Sequence, residues 1–204
     1  MDWGRELAEL AVRMSTVRLV DIDTIDDEAI LVTVSAVGAP AAKEAVVKPV
    51  GYVRAVELLT ENAQIEADGL ITNENGGTAT INGWLQSAIL GIPVVDAPCN
   101  GRAHPTGAMG SMGLHAKEGY VSYQAAAGGD PARGRYLELV VEGNIEQAAA
   151  LVRQAAVQAG GLVAVARNPI DAGYVKKNGA PGAVRQSVTL GQAMLAAWSK
   201  GGTA

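Results

Sequence analysis

The chain has 204 residues, of which 49% are hydrophobic and 18% charged, with a mean hydropathy of +0.15. That is long and apolar enough for one globular domain with a real core, and it excludes a disordered chain. A net charge of −5, few aromatics and no Phe supply neither the clustered cations nor the stacking surface of a nucleic-acid binder, and a single Cys excludes a disulfide framework.

Leu7, Leu10, Ala11 and Met14 recur at helical spacing and predict an amphipathic helix ending near Met14. Residues 17–22 read as a strand, 23–28 as an acidic connection, and 30–37 as a strong strand stopped by Gly38-Ala39-Pro40. Residues 52–66, carrying Val53, Val56, Leu58, Leu59 and Ile65, read as a helix, and Gly69-Leu70-Ile71-Thr72 as a short buried parallel strand. Residues 78–90 read as a helix ended by Gly91, and 92–96 as the next strand. A long glycine-rich loop follows, with Gly101, Gly107, Gly110 and Gly113. Residues 120–124 and 136–141 alternate like a hairpin around Gly128-Gly129-Asp130-Pro131. Asn144 caps a helix over 144–158 that Gly160-Gly161 ends, 162–166 is a last strand, 168–182 an irregular polar stretch and 184–198 a final helix. No linker divides the chain, so 1–204 is expected to be one α/β domain: a mostly parallel sheet flanked by helices, with an antiparallel hairpin in the second half. With no signal-peptide pattern and no membrane-length apolar run, a cytoplasmic protein with no membrane partner is expected.

The strand–helix alternation places three polar loops at the carboxyl edge of the sheet, where open α/β sheets bind ligands. They are Gly38-Ala39-Pro40, Asn73-Glu74-Asn75-Gly76-Gly77, and the run from Asp96 to Pro105. In the second, glycines let backbone amides approach a ligand and the following helix start favours an anion, with Glu74 as a carboxylate beside it. The third packs Asp96, Cys99, Asn100, Arg102 and His104 into nine residues. Arg102 suits a planar anionic or carbonyl-rich group. Cys99 and His104 have the types of a thiolate–imidazole pair, while Asp96, His104 and Glu74, with His115, have the types of a divalent-metal set. Against these stand plainer roles: a packed Cys, a loop-anchoring His, a helix cap. The candidate catalytic residues are therefore Glu74, Asp96, Arg102, Cys99 and His104, and the candidate substrate-binding residues Gly38, Pro40, Asn75, Gly76, Gly77 and Asn100.

With these loops assembled, the chain resembles the amino-terminal domain of the S-methyl-thiohydantoin desulfurase family, over residues 17–195. The likeness rests on Gly38-Ala39-Pro40 with Glu44, on Glu74 with Gly76-Gly77, and on Pro93-Val94-Val95-Asp96-Ala97 followed by Gly101-Arg102-Ala103 and Pro105, with Gly191 in the last helix. It departs from the family in having no glycine-rich loop before Val17, in Pro98 and Thr106 where acidic residues are usual, in Cys99 and His104, and in lacking a second, β-rich domain. The resemblance implies hydrolysis of a C–S or C–N bond in a small hydantoin- or thiohydantoin-like cyclic amide. Glu74 or Asp96 would be the base, Arg102 and the Gly76-Gly77 amides would hold developing charge, and a divalent metal remains an open alternative for the water. The rival readings are a partial subunit docking on a hydantoinase-type partner or a separate β domain, and a small-ligand binder. The low charge also makes a homo-oligomer an expectation.

Overall fold

In a computed structural model, described here for residues 3–102 and 106–201, seven strands form one sheet in the order β1-β4-β3-β2-β7-β5-β6. The strands are β1 (Leu19–Val20), β2 (Ile30–Gly38), β3 (Gly69–Thr72), β4 (Val94–Val95), β5 (Ser122–Gly128), β6 (Leu137–Gly143) and β7 (Leu162–Asp171). Strands β1, β4, β3 and β2 run parallel; β7, β5 and β6 are antiparallel to their neighbours. The expected α/β class is therefore observed, with β7 inserted between the parallel half and the hairpin.

One face of the sheet is covered by α1 (Trp3–Met14), α2 (Pro49–Ala63) and α3 (Trp84–Leu90). Ala11, Leu59 and Leu85 from these helices pack on Val32, Val34, Leu70, Ala125 and Ala164. The opposite face takes α4 (Ile145–Gln158), whose Val152 and Ala156 meet Val163 and Val165, and α5 (Ala172–Asn178), whose Val175 joins Leu31, Ile71 and Val95. Local signals agree with the elements: Pro49 sits at the first turn of α2, and the Asn144 side chain accepts from the Glu146 amide at the start of α4. Gly38, at φ +132, leaves β2 where an added Cβ would lie 2.0 Å from the Gly161 carbonyl oxygen, so only glycine permits β7 to start there.

Three expectations are corrected. The helix expected over 78–90 is a 3-10 turn, Gly77–Ile81, followed by α3, because the Asn82 side chain is drawn to Asn73 and Gly83 takes a left-handed conformation. The strand expected to stop at Ala166 continues to Asp171, and α5 follows within what reads as irregular sequence. The reason is a bulge. Leu31 pairs with Ile170 but Thr33 with Arg167, so two steps on β2 face three on β7, and Asn168, at φ +52, absorbs the extra residue.

The last helix, α6 (Ala183–Ser199), is tied to the body at its first turn, where Val184 is buried. Beyond that turn Leu190, Met194, Leu195 and Trp198 are exposed, Trp198 by 73%. Among the described residues no helix is long and apolar enough to cross a membrane.

Candidate active site

Because β2 and β3 run parallel, the loops leaving them open at one edge, and a cavity of about 730 Å³ lies there. Gly38, Ala39 and Pro40 form one side, Asn73, Glu74 and Gly76 another, and Thr106 and Gly107 approach from the third loop. Helix α4 closes the remaining wall with the apolar Ala149, Val152 and Ala156. A volume of this size accommodates a small organic ligand.

The loop carrying Glu74 is braced from within. The Thr72 hydroxyl donates to the carbonyls of Glu74 (3.0 Å) and Ala79 (2.7 Å), and the Asn82 amide donates to Asn73 Oδ1 (3.1 Å). Asn73 and Asn82 are both buried. These bonds fix the half-buried Glu74 relative to the sheet before any ligand arrives, the condition for a catalytic group to act without reorganisation.

Sequence reasoning missed a buried ionisable group of the wall, Arg167. It is 5% exposed and stands on β7 between Thr33 of β2 and Gln124 of β5, both buried. Its side-chain phase is that of Val163 and Val165, so the guanidinium enters the face that α4 covers. Burial pulls its pKa below the usual arginine value, while the nearby Cys99 and Glu74 push the other way. The available signal was a cation in phase with buried valines, immediately before Asn168-Pro169.

The other expected site residues go elsewhere. Asp96 is 1% exposed, and its carboxylate accepts from the amides of Val184 (2.8 Å) and Arg185 (3.0 Å), capping α6 from a distant strand. Asn75 donates to the Ala183 carbonyl (2.9 Å) and Ser187 Oγ (3.0 Å), joining the same helix. Asn100 holds its own loop, accepting from the Arg102 amide and donating to the Met109 carbonyl. Arg102 and Gly77 are exposed and neither lines the cavity. His115 meets Ser111 Oγ at 3.0 Å on an exposed turn, and His104 lies outside the described residues. Glu74, Gly38, Pro40 and Gly76 therefore meet in one cavity, while Asp96 and Arg102 do not join them. Nor do Glu74, Asp96 and His115 assemble as a metal set: among the described residues no three His, Cys, Asp or Glu side chains cluster suitably.

Cys99 is buried against Thr33 Oγ1 at 3.2 Å, and burial first of all raises its pKa from 9.0 to about 11, so the thiol is protonated at neutral pH. The folded protein keeps this proton up to about pH 11, whereas the unfolded chain releases it near pH 9.0. More protons are then bound in the folded state between those values, and stability falls as pH rises through the window, by on the order of 2 kcal/mol. Urea unfolding at pH 8.5 and 10.5 is expected to show that loss in the wild type and a smaller one in Cys99→Ala. Equal losses would remove Cys99 as the source.

The model of the S-Me-THD-like N-terminal domain matches residues 3–133, well over half of the sequence. The chain belongs to this family. The match contains the loops that carry Gly38 and Glu74, and ends before α4 and Arg167. A protein from Chromobacterium violaceum, known from an X-ray crystal structure, is similar at 25% identity with a TM-score of 0.65. The likeness covers 88% of this chain and 50% of that one, so the S-Me-THD-like chain spans about half the length of its structural relative. No curated protein matches the sequence.

Proposed function

We propose that the cavity is the active site of a hydrolase acting on a small S-alkylated thiohydantoin or a related cyclic amide. The observation that carries this reading is the braced Glu74 in a cavity at the carboxyl edge of parallel strands, within a chain of the S-Me-THD-like family. Glu74 takes a proton from a water molecule as the water oxygen bonds to the ring carbon bearing sulfur. The carbon–sulfur bond then breaks, the protonated Glu74 returns its proton to the departing thiolate, the water's second hydrogen passes to the ring nitrogen that was doubly bonded to this carbon, and a ring carbonyl, a ring N–H and a free thiol result. Gly76 allows the backbone to lie against the ring, and the apolar residues of α4 accept its hydrocarbon substituent.

A second reading, a partial subunit seated on a separately encoded β-rich domain, is favoured by the exposed apolar side of α6. One experiment separates the two. The purified chain is incubated with S-methyl-thiohydantoins, and released thiol is followed colorimetrically, with the particle mass measured in parallel. Thiol release by the chain alone supports the hydrolase. No release from any of these substrates, with activity appearing only when a β-rich domain joins in stoichiometric amount, supports the subunit.

A further inference from the structure

We infer that Arg167 is an anion-binding group of the cavity and that its ligand is a small cyclic amide bearing a carboxylate. This rests on the reading of the cavity as the substrate site and narrows the substrate class.

A buried guanidinium is strongly unfavourable unless a carboxylate or several acceptors meet it. In this structure Arg167 forms no hydrogen bond or close ion pair with a described residue, and its Nε is buried without an acceptor. Its flanks are polar but not anionic: Thr33 opposite on β2 and Gln124 opposite on β5. Ser35 Oγ and Gln124 Oε1 are likewise buried without partners on the same side of the sheet. Of these residues Arg167 is the one that lines the cavity, and an unsatisfied buried donor in a cavity wall is what a ligand carrying acceptors would complete.

The backbone is shaped around this residue. Regular alternation puts Arg167 in phase with Val163 and Val165, and the bulge at Asn168 then brings Ile170 to that same side, in the apolar cluster under α5. The bulge is itself secured by the Ser122 hydroxyl, which donates to Asn168 Oδ1 at 2.6 Å. Such irregularities aim particular side chains.

Charge points the same way. Among the described residues, two cations, Arg153 at the exposed surface of α4 and Arg167 inside, line the cavity with one carboxylate, Glu74. The local balance is thus positive in a chain whose net charge is −5. A carboxylate fits a guanidinium fork by two parallel hydrogen bonds. The ring of the same ligand would then lie toward Glu74, with the apolar wall of α4 beside it.

The test uses three probes in titration calorimetry: hydantoin-5-acetate, the neutral 5-ethylhydantoin, and succinate. Wild type should bind hydantoin-5-acetate at least about tenfold more tightly than 5-ethylhydantoin, and Arg167→Gln should abolish that difference while changing 5-ethylhydantoin binding less than about threefold. Arg167→Lys should recover part of it. Equal binding of acid and neutral probe, an equal loss of both in Arg167→Gln, or no binding of either carboxylate would overturn the inference. Thermal melting supplies a second measure. Without a structural partner to lose, Arg167→Met should melt no lower than wild type, and collapse of both variants would show a structural role instead. Carboxylate selectivity without thiol release would sink the hydrolase reading and leave Arg167 standing. Thiol release without selectivity would do the reverse.

Discussion

Glu74→Gln is expected to lower thiol release by roughly 10²- to 10⁴-fold while leaving substrate binding within about threefold of wild type. Glutamine preserves the size and one acceptor oxygen of the side chain, so the packing of the loop is little disturbed. It cannot take a proton from water. The main-chain carbonyl of Glu74 holds the Thr72 hydroxyl at 3.0 Å, and Asn73 holds Asn82, so the loop is fixed by groups the substitution leaves in place. An effect confined to turnover would locate the loss in the chemical step. Turnover within twofold of wild type would remove Glu74 from the mechanism, and with it the main argument for hydrolysis in this cavity.

The architecture was legible where side-chain period and punctuation agreed. Residues 30–37 and 69–72 are apolar runs bounded by turn residues, and both are strands whose following loops meet at the cavity. The Asn144 cap and the terminating glycines bracket α4 nearly to the residue. What stayed hidden depends on register. Nothing local to Asn168-Pro169 announces a bulge, because the extra residue is defined by its pairing with Leu31 and Thr33 on a strand more than a hundred positions away. Pro169 therefore reads as a strand breaker, the strand is cut at Ala166, and Arg167 falls into a loop when it belongs to the sheet interior.

The same limit explains the misplaced members of the site. Asp96, Asn75 and Glu74 all follow parallel strands and carry groups suited to chemistry, so sequence proximity gave no ground for separating them. The separating fact is the position of α6, whose first turn faces Asp96 and Asn75. That helix begins at Gly182 in a left-handed conformation and has no capping side chain of its own. A helix start without a local cap must find an acceptor elsewhere, and here it comes from Asp96, nearly ninety positions earlier.

Asp96→Ala should consequently be a stability variant before anything else. It removes the acceptors of two amides at the start of α6, Val184 and Arg185, with Val184 fully buried. Loss of a cap costs roughly 0.5–2 kcal/mol and a buried unsatisfied amide roughly 1–3 kcal/mol, so a combined loss of about 2–4 kcal/mol is expected. For a chain of this length that lowers the melting temperature by roughly 5–15 °C. Asp96→Asn keeps one acceptor and should fall about midway. Freed from the carboxylate, the first turn of α6 should also become more open to trypsin at Arg185, whose own side-chain tether is the exposed pair with Asp21 at 3.0 Å. A solvent-exposed pair of that kind holds little by itself. Thiol release per folded molecule of Asp96→Asn should stay within about fivefold of wild type, because its carboxylate points into a helix start and not into the cavity. If Asp96→Asn melts like wild type yet loses activity as deeply as Glu74→Gln, the carboxylate is catalytic and the helix-capping account is wrong.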